Sequence, residues 1–205
     1  MDKVNFKKEL SQLYNPKNTD WELVEVPTMN FLMIDGKGDP NTAKDYSDAV
    51  EALYSAAYAI KIRSRRTLGR DYVVPPLEGL WSADDPAAFT NADKAKYQWT
   101  MMIMQPDWIT QTRVSRAIDA IPVRKQLPAL SKVRFESYNE GLSLQLLHVG
   151  SYDAEAPKLK YLHAEYMPAH NLTFNGRHHE IYLSDPRKTA DAKLKTILRQ
   201  PIGQD

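Results

Sequence analysis

The chain contains no cysteine. Disulfides, thiolate metal sites and cysteine nucleophiles are therefore excluded, and the composition fits a reducing compartment such as the cytosol. It also lacks an excess of either charge: 27 Lys and Arg stand against 26 Asp and Glu, a net +1. Nothing of that size would draw it electrostatically to DNA or to an anionic membrane. There is no apolar run of the roughly 18 residues that a membrane span needs. The opening Met1-Asp2-Lys3-Val4-Asn5-Phe6-Lys7-Lys8 has no apolar stretch of a secretory signal. These absences together predict a cytoplasmic protein with no direct nucleic-acid partner and no membrane partner. With 205 residues, 42% of them hydrophobic and 26% charged, the chain can bury one large core or two small fused ones.

Periodicity then assigns the elements. Val4, Leu10, Leu13 and Tyr14 predict a short N-terminal helix over 4–14, and residues 1–20 read as a helical extension. Residues 21–34 are rich in β-formers, with Pro27 suggesting a bend or two short strands. After a turn at 35–40, Tyr46, Ala49, Val50, Leu53, Tyr54, Ala57 and Ile60 predict a helix over 42–62. Arg63, Arg65, Arg66 and Arg70 follow as a basic cluster, which reads as a solvated loop, with a nucleic-acid or phosphate contact as the alternative. Tyr72-Val73-Val74 and 77–82 are β-rich, 83–95 is a hairpin connection, and 97–104 reads as a buried strand. Thr110 is a candidate cap for a helix striped by Val114, Ala117, Ile118 and Ile121. In the second half, 132–138 and 142–149 read as two strands joined by a hairpin-type turn at Asn139-Glu140-Gly141. Helical spacing returns over 155–167 and is expected to end at Pro168. Asn175-Gly176 marks a bulge or tight turn.

The order of elements recurs. Strand, turn 35–39 and helix 42–62 match strand, turn 149–153 and helix 155–167. Glu78-Gly79-Leu80-Trp81-Ser82 matches Glu180-Ile181-Tyr182-Leu183-Ser184, and each copy is followed by Asp-Pro. Met102-Ile103-Met104-Gln105-Pro106 matches Ile197-Leu198-Arg199-Gln200-Pro201, which makes 194–200 a strand preceded by a short helical turn rather than a helix. The fold class is thus α+β: a tandem β-α-β-β repeat, about 21–106 and 127–202, within one domain over 21–202. An antiparallel sheet with helices on one side is expected, with pseudo-twofold symmetry and a central ligand groove at its axis.

In the strand 178–186, alternation puts His178, Glu180, Tyr182 and Ser184 on one face and His179, Ile181 and Leu183 on the other. The bland reading is a solvated polar face. Residues 76–81, 179–189 and 193–201 give the chain a resemblance, over about 20–202, to the GyrI-like small-molecule-binding proteins, whose domain also serves as the effector domain of some transcription regulators. The resemblance implies a tandem β-α-β-β fold with an aromatic-lined groove, and flat hydrophobic xenobiotics as ligands. It further implies that some stand-alone members open the cyclopropane ring of DNA-alkylating compounds with water. It maps a groove carboxylate onto Glu180 and a groove aromatic onto Trp81.

Such hydrolysis needs a base for the water and a donor for the carbonyl oxygen that gains charge. Glu180 is the candidate base, and Tyr182, Tyr152 or Tyr138 the candidate donor. Trp81, Trp99 and Trp108 are candidate stacking residues, with core packing as the equal alternative for each. Glu78 is either a second groove carboxylate or a structural residue. The five histidines show no metal-ligand spacing, so no metal and no cofactor are expected. The alternative function is a non-catalytic ligand-binding or drug-sequestering module. A gyrase-type inhibitor ranks last because no acidic surface is evident, and monomer and homodimer both stay open. No DNA-binding segment is expected in the roughly twenty residues before the domain.

Overall fold

The computed structural model describes residues 3–85, 87–91 and 93–204. It divides into two compact units. One comprises the residues up to Glu9 together with Met29–Tyr138; the other comprises Leu10–Thr28 and everything from Asn139 onward.

The first unit holds β2 (Met29–Lys37), β3 (Leu77–Ser82), β4 (Gln98–Gln105) and β5 (Arg134–Tyr138), all antiparallel, in the order β3-β4-β2-β5. The helix Lys44–Leu68 covers one face. Register places Trp81 and Gly36 both opposite Trp99, so the three share a face, and Tyr46 of the helix packs on both indoles at 6.3 and 5.2 Å. The helix runs six residues beyond the expected Ile62. Arg63, Arg65 and Arg66 are good helix formers, their charges suit the helix C-terminus, and only Gly69, at φ 65°, ends it. The basic cluster is therefore mostly the last turns of a helix, not a loop. Tyr72-Val73-Val74 forms no strand, only a bridge from Tyr72 to Val4, since Pro75 and Pro76 supply no N–H to a ladder. Thr110 stands at the N-cap of Gln111–Ile118, but its hydroxyl makes no capping bond. Within the 83–95 connection, Pro86 and Ala92 lie outside the described residues.

The second unit holds β1 (Glu22–Val26), β6 (Gly141–Val149), β7 (Leu172–Phe174), β8 (His178–Tyr182) and β9 (Lys195–Gln204). The antiparallel order is β1-β6-β9-β8, with β7 on the far end of β9. The repeat holds: β2, helix, β3, β4 in one unit correspond to β6, helical segment, β8, β9 in the other, in the same spatial order. Each sheet is completed by a strand from outside its repeat, β5 in one and β1 in the other. The expected hairpin at 139–141 does not form, because β5 pairs with β2 and β6 pairs with β1 and β9. Glu140 is buried among charges instead of turning in solvent. The N-terminal helix is broken into Phe6–Glu9 and Ser11–Tyr14.

Leu144, Leu146, Leu198 and Ile202 of the second sheet pack against Leu162 and Met167 of the helical segment 152–169. That segment passes Pro168 instead of stopping before it. Residues Leu162–Tyr166 widen into a π-turn, with Met167 N–H bonding the Leu162 carbonyl, which accommodates a residue that has no N–H and would crowd the carbonyl four back. On the opposite sheet face, Arg199 is 1% exposed. It donates to Gln145 Oε1 at 3.0 and 3.3 Å, to Glu140 Oε2 at 3.2 Å and to the Leu13 carbonyl at 2.6 Å. His179 Nδ1–H donates to Glu140 Oε1 at 2.9 Å.

Burial works to raise the Glu140 pKa, but His179 and Arg199 outweigh it and hold it below the usual carboxylate range. The stability it contributes is therefore complete above that range and lost as pH falls through the lowered value. Glu140→Ala should cost about 3–5 kcal/mol, because Arg199 is left buried without its carboxylate; urea titration measures it. In Gly36→Ala the new methyl would run into the Trp99 ring. A loss of about 1–3 kcal/mol in the same assay is expected.

Candidate functional site

β8 alternates as its sequence implies: His179 and Ile181 are buried, and His178, Glu180 and Tyr182 are half-buried. Glu180 lies opposite Leu198, and Tyr182 opposite Thr196, which in turn lies opposite His148. Directly paired residues share a face, so these polar groups stand on the side of Leu198, the side the helical segment covers. The polar face of β8 thus looks into the layer between sheet and helix, not into bulk solvent.

The Tyr182 hydroxyl donates to Glu180 Oε2 at 2.7 Å. His178 Nε2 lies 3.5 Å from Glu180 Oε1, and neither of its ring nitrogens makes a hydrogen bond among the described residues. Tyr152 meets Tyr182 edge-on, ring centroids 5.8 Å apart. Burial, then the Glu155 and Glu180 carboxylates, push the Tyr152 phenol up to about 12, so it remains a proton donor at neutral pH. His148 Nε2–H donates to the Ser151 carbonyl at 2.9 Å, leaving Nδ1 as a buried lone pair. Burial lowers the His148 pKa, and burial followed by His178 takes His163 down to about 4. Both imidazoles are neutral at pH 7.

Glu155, on the first turn of the helical segment, is 4% exposed. Burial first, then the Glu180 carboxylate, push it up to about 9, against weaker pulls from Thr196 and Lys158. No bond within hydrogen-bond limits reaches Glu155 Oε1 or Thr196 Oγ1 among the described residues.

The expected residues are distributed as follows. Glu180, Tyr182 and Tyr152 come together in the second unit. Trp81, Glu78, Trp99, Trp108 and Tyr138 all belong to the first. There Trp99 is a core residue, 2% exposed. Trp108 packs on Phe6 and Tyr72 and donates to Ser64 Oγ at 3.1 Å. Tyr138 lies edge-on to Phe31. Glu78 is fully buried on the face opposite Trp81. Its equivalence with Glu180 is one residue out: Glu78 faces Met102, whereas Glu180 faces Leu198, the counterpart of Ile103. Ile103 is opposite Leu77, so Leu77 is the counterpart of Glu180. Sequence reasoning missed Glu155, His148 and Thr196. An acidic residue at a helix start reads as a dipole partner, and the His148–Thr196–Tyr182 row becomes visible only with strand register. Among the described residues no group of three His, Asp or Glu could hold a metal ion.

The GyrI-like small molecule binding domain model matches residues 19–202. The chain belongs to the GyrI-like family. This GyrI-like chain is 40% identical to an uncharacterized conserved protein from Listeria innocua, with a TM-score of 0.88, covering 98% of this chain and 100% of that one. It is 39% identical to a protein described as a hydrolase from Listeria innocua, with a TM-score of 0.82 and the same coverage. The EcmrR C-terminal domain, 10% identical with a TM-score of 0.56 over 91% of this chain and 98% of that one, shares the fold alone. No curated protein matches the chain.

Because Glu155 binds its proton more tightly folded than unfolded, stability should fall as pH rises from the ordinary glutamate range to about 9. Glu155→Gln should flatten that slope and stabilise the fold by on the order of 1–3 kcal/mol at about pH 8. Denaturant midpoints across pH measure both effects.

Proposed function

We propose that this GyrI-like protein binds flat hydrophobic aromatic compounds and hydrolyses the strained cyclopropane ring of DNA-alkylating members of that class, detoxifying them in the cytoplasm. The observation that carries the reading is the Tyr182 hydroxyl on half-buried Glu180 Oε2 at 2.7 Å, beside a second phenol, Tyr152, that is open to solvent. A relative 39% identical and described as a hydrolase supports it.

Glu180 accepts a proton from water as the water oxygen bonds to a cyclopropane carbon. The ring C–C bond breaks, and its electron pair moves through the conjugated system to the carbonyl oxygen. That oxygen takes a proton from Tyr152, which is recharged from solvent. Tyr182, already donating to Glu180, orients the carboxylate. The aromatic rings exclude water and position a flat ligand.

Glu180→Gln should lower turnover of a cyclopropane-containing alkylator by about 100-fold or more while leaving its binding within a few-fold. Mass spectrometry of the product, expected as substrate plus one water, reads the reaction. Full activity in that variant would remove Glu180 from the base role. A wild-type protein that binds the compound and never consumes it would be a binding module instead.

A further inference from the structure

The sequence sets two histidines side by side, and β8 sends them to opposite faces of the sheet. His179 has a partner, Glu140 Oε1 at 2.9 Å. His178 has both ring nitrogens buried with no hydrogen bond among the described residues. An acid stands beside it, with Nε2 3.5 Å from Glu180 Oε1. Residues two apart on a strand share a face, so Glu180 is flanked on both sides. Tyr182 donates to Oε2 at 2.7 Å, and His178 stands near Oε1. Of these two flanking groups, the chemistry above uses only the phenol.

We propose that His178 is a positioning residue for Glu180, its Nε2–H closing on Oε1 so that the carboxylate is held at both oxygens. This rests on the hydrolase reading for its catalytic consequence. A neutral imidazole carries one N–H and one lone pair. With the hydrogen on Nδ1, the Nε2 lone pair would face the carboxylate and a buried N–H would lack an acceptor, which is costly. With the hydrogen on Nε2, Oε1 is an acceptor within reach of a small shift, and only a lone pair is left over. A separation of 3.5 Å is longer than a formed N–H···O bond, and catalytic hydrogen bonds often tighten only around bound substrate. Held by Tyr182 alone, the carboxylate can still swing about its last torsion, which is broad in glutamate. Held at both oxygens, it keeps one fixed direction for the attacking water.

The test has two readouts, both in the full chain. Nitrogen-15 NMR of the histidine rings, with His178→Gln used to assign the His178 signals, reads the tautomer. At mildly alkaline pH, His178 should carry hydrogen on Nε2, and Glu180→Gln should shift that signal. Hydrogen on Nδ1 alone, or an Nε2 signal unmoved in Glu180→Gln, would overturn the inference. Turnover of a cyclopropane-containing alkylator is the second readout. His178→Asn, whose amide nitrogen stands nearer the Nδ1 position, should lower kcat about 10-fold with KM within a few-fold. His178→Gln, whose longer side chain carries an N–H to the Nε2 position, should keep most of the wild-type kcat. Equal rates in the two variants, whether both fast or both slow, would also overturn the inference. If the wild type never consumes the compound, the hydrolase reading falls, while the NMR still decides the contact between His178 and Glu180.

Discussion

The Arg199 guanidinium sits almost wholly out of water, and a buried charge of that kind must be met by hydrogen bonds from every side. The Glu140 carboxylate, Gln145 Oε1 accepting two bonds, and the Leu13 carbonyl meet it. Two of its neighbours, Gln145 and His179, stand directly opposite Arg199 on the flanking strands. The cluster therefore pins β6, β9 and β8 in one register. A one-residue slip would turn every side chain of β8 to the other face, burying Glu180 among these charges and sending His179 toward the helical segment. The placement of the site residues follows from a network that none of them belongs to.

The same sheet gives two glutamates opposite fates. Glu140 and Glu155 are comparably buried, yet His179 and Arg199 hold the Glu140 pKa down, while burial and the Glu180 carboxylate push that of Glu155 up to about 9. Burial opposes ionisation in both, and the sign of the neighbouring charges separates them.

Much of this was legible in the chain. The alternation in 178–182 and the β-α-β-β order follow from apolar spacing, and a strand over 194–200 follows from the repeat, although it runs on through Pro201 to Gln204. What stayed hidden depends on partners far away in sequence. The turn residues at 139–141 look like a hairpin because Asn-Glu-Gly is local turn chemistry, and only His179 and Arg199, some forty and sixty residues on, recruit Glu140 into the interior. The echo between Glu78 and Glu180 is real at the level of elements. Register displaces it by one residue, and on a strand one residue exchanges the faces.

The π-turn at Leu162–Tyr166 carries its own consequence. A π-turn holds one residue more than the α-helical turn it replaces, so every side chain after it is rotated by about 100° relative to an uninterrupted helix. Leu162, its first residue, and Met167, just past its end, both reach the same apolar cluster because of that extra residue. The segment thus behaves as an insertion retained in place: removing a single residue there would turn Met167 away from the cluster and set Pro168 against the carbonyl four residues back. Length, and not only composition, is under constraint at this point of the chain.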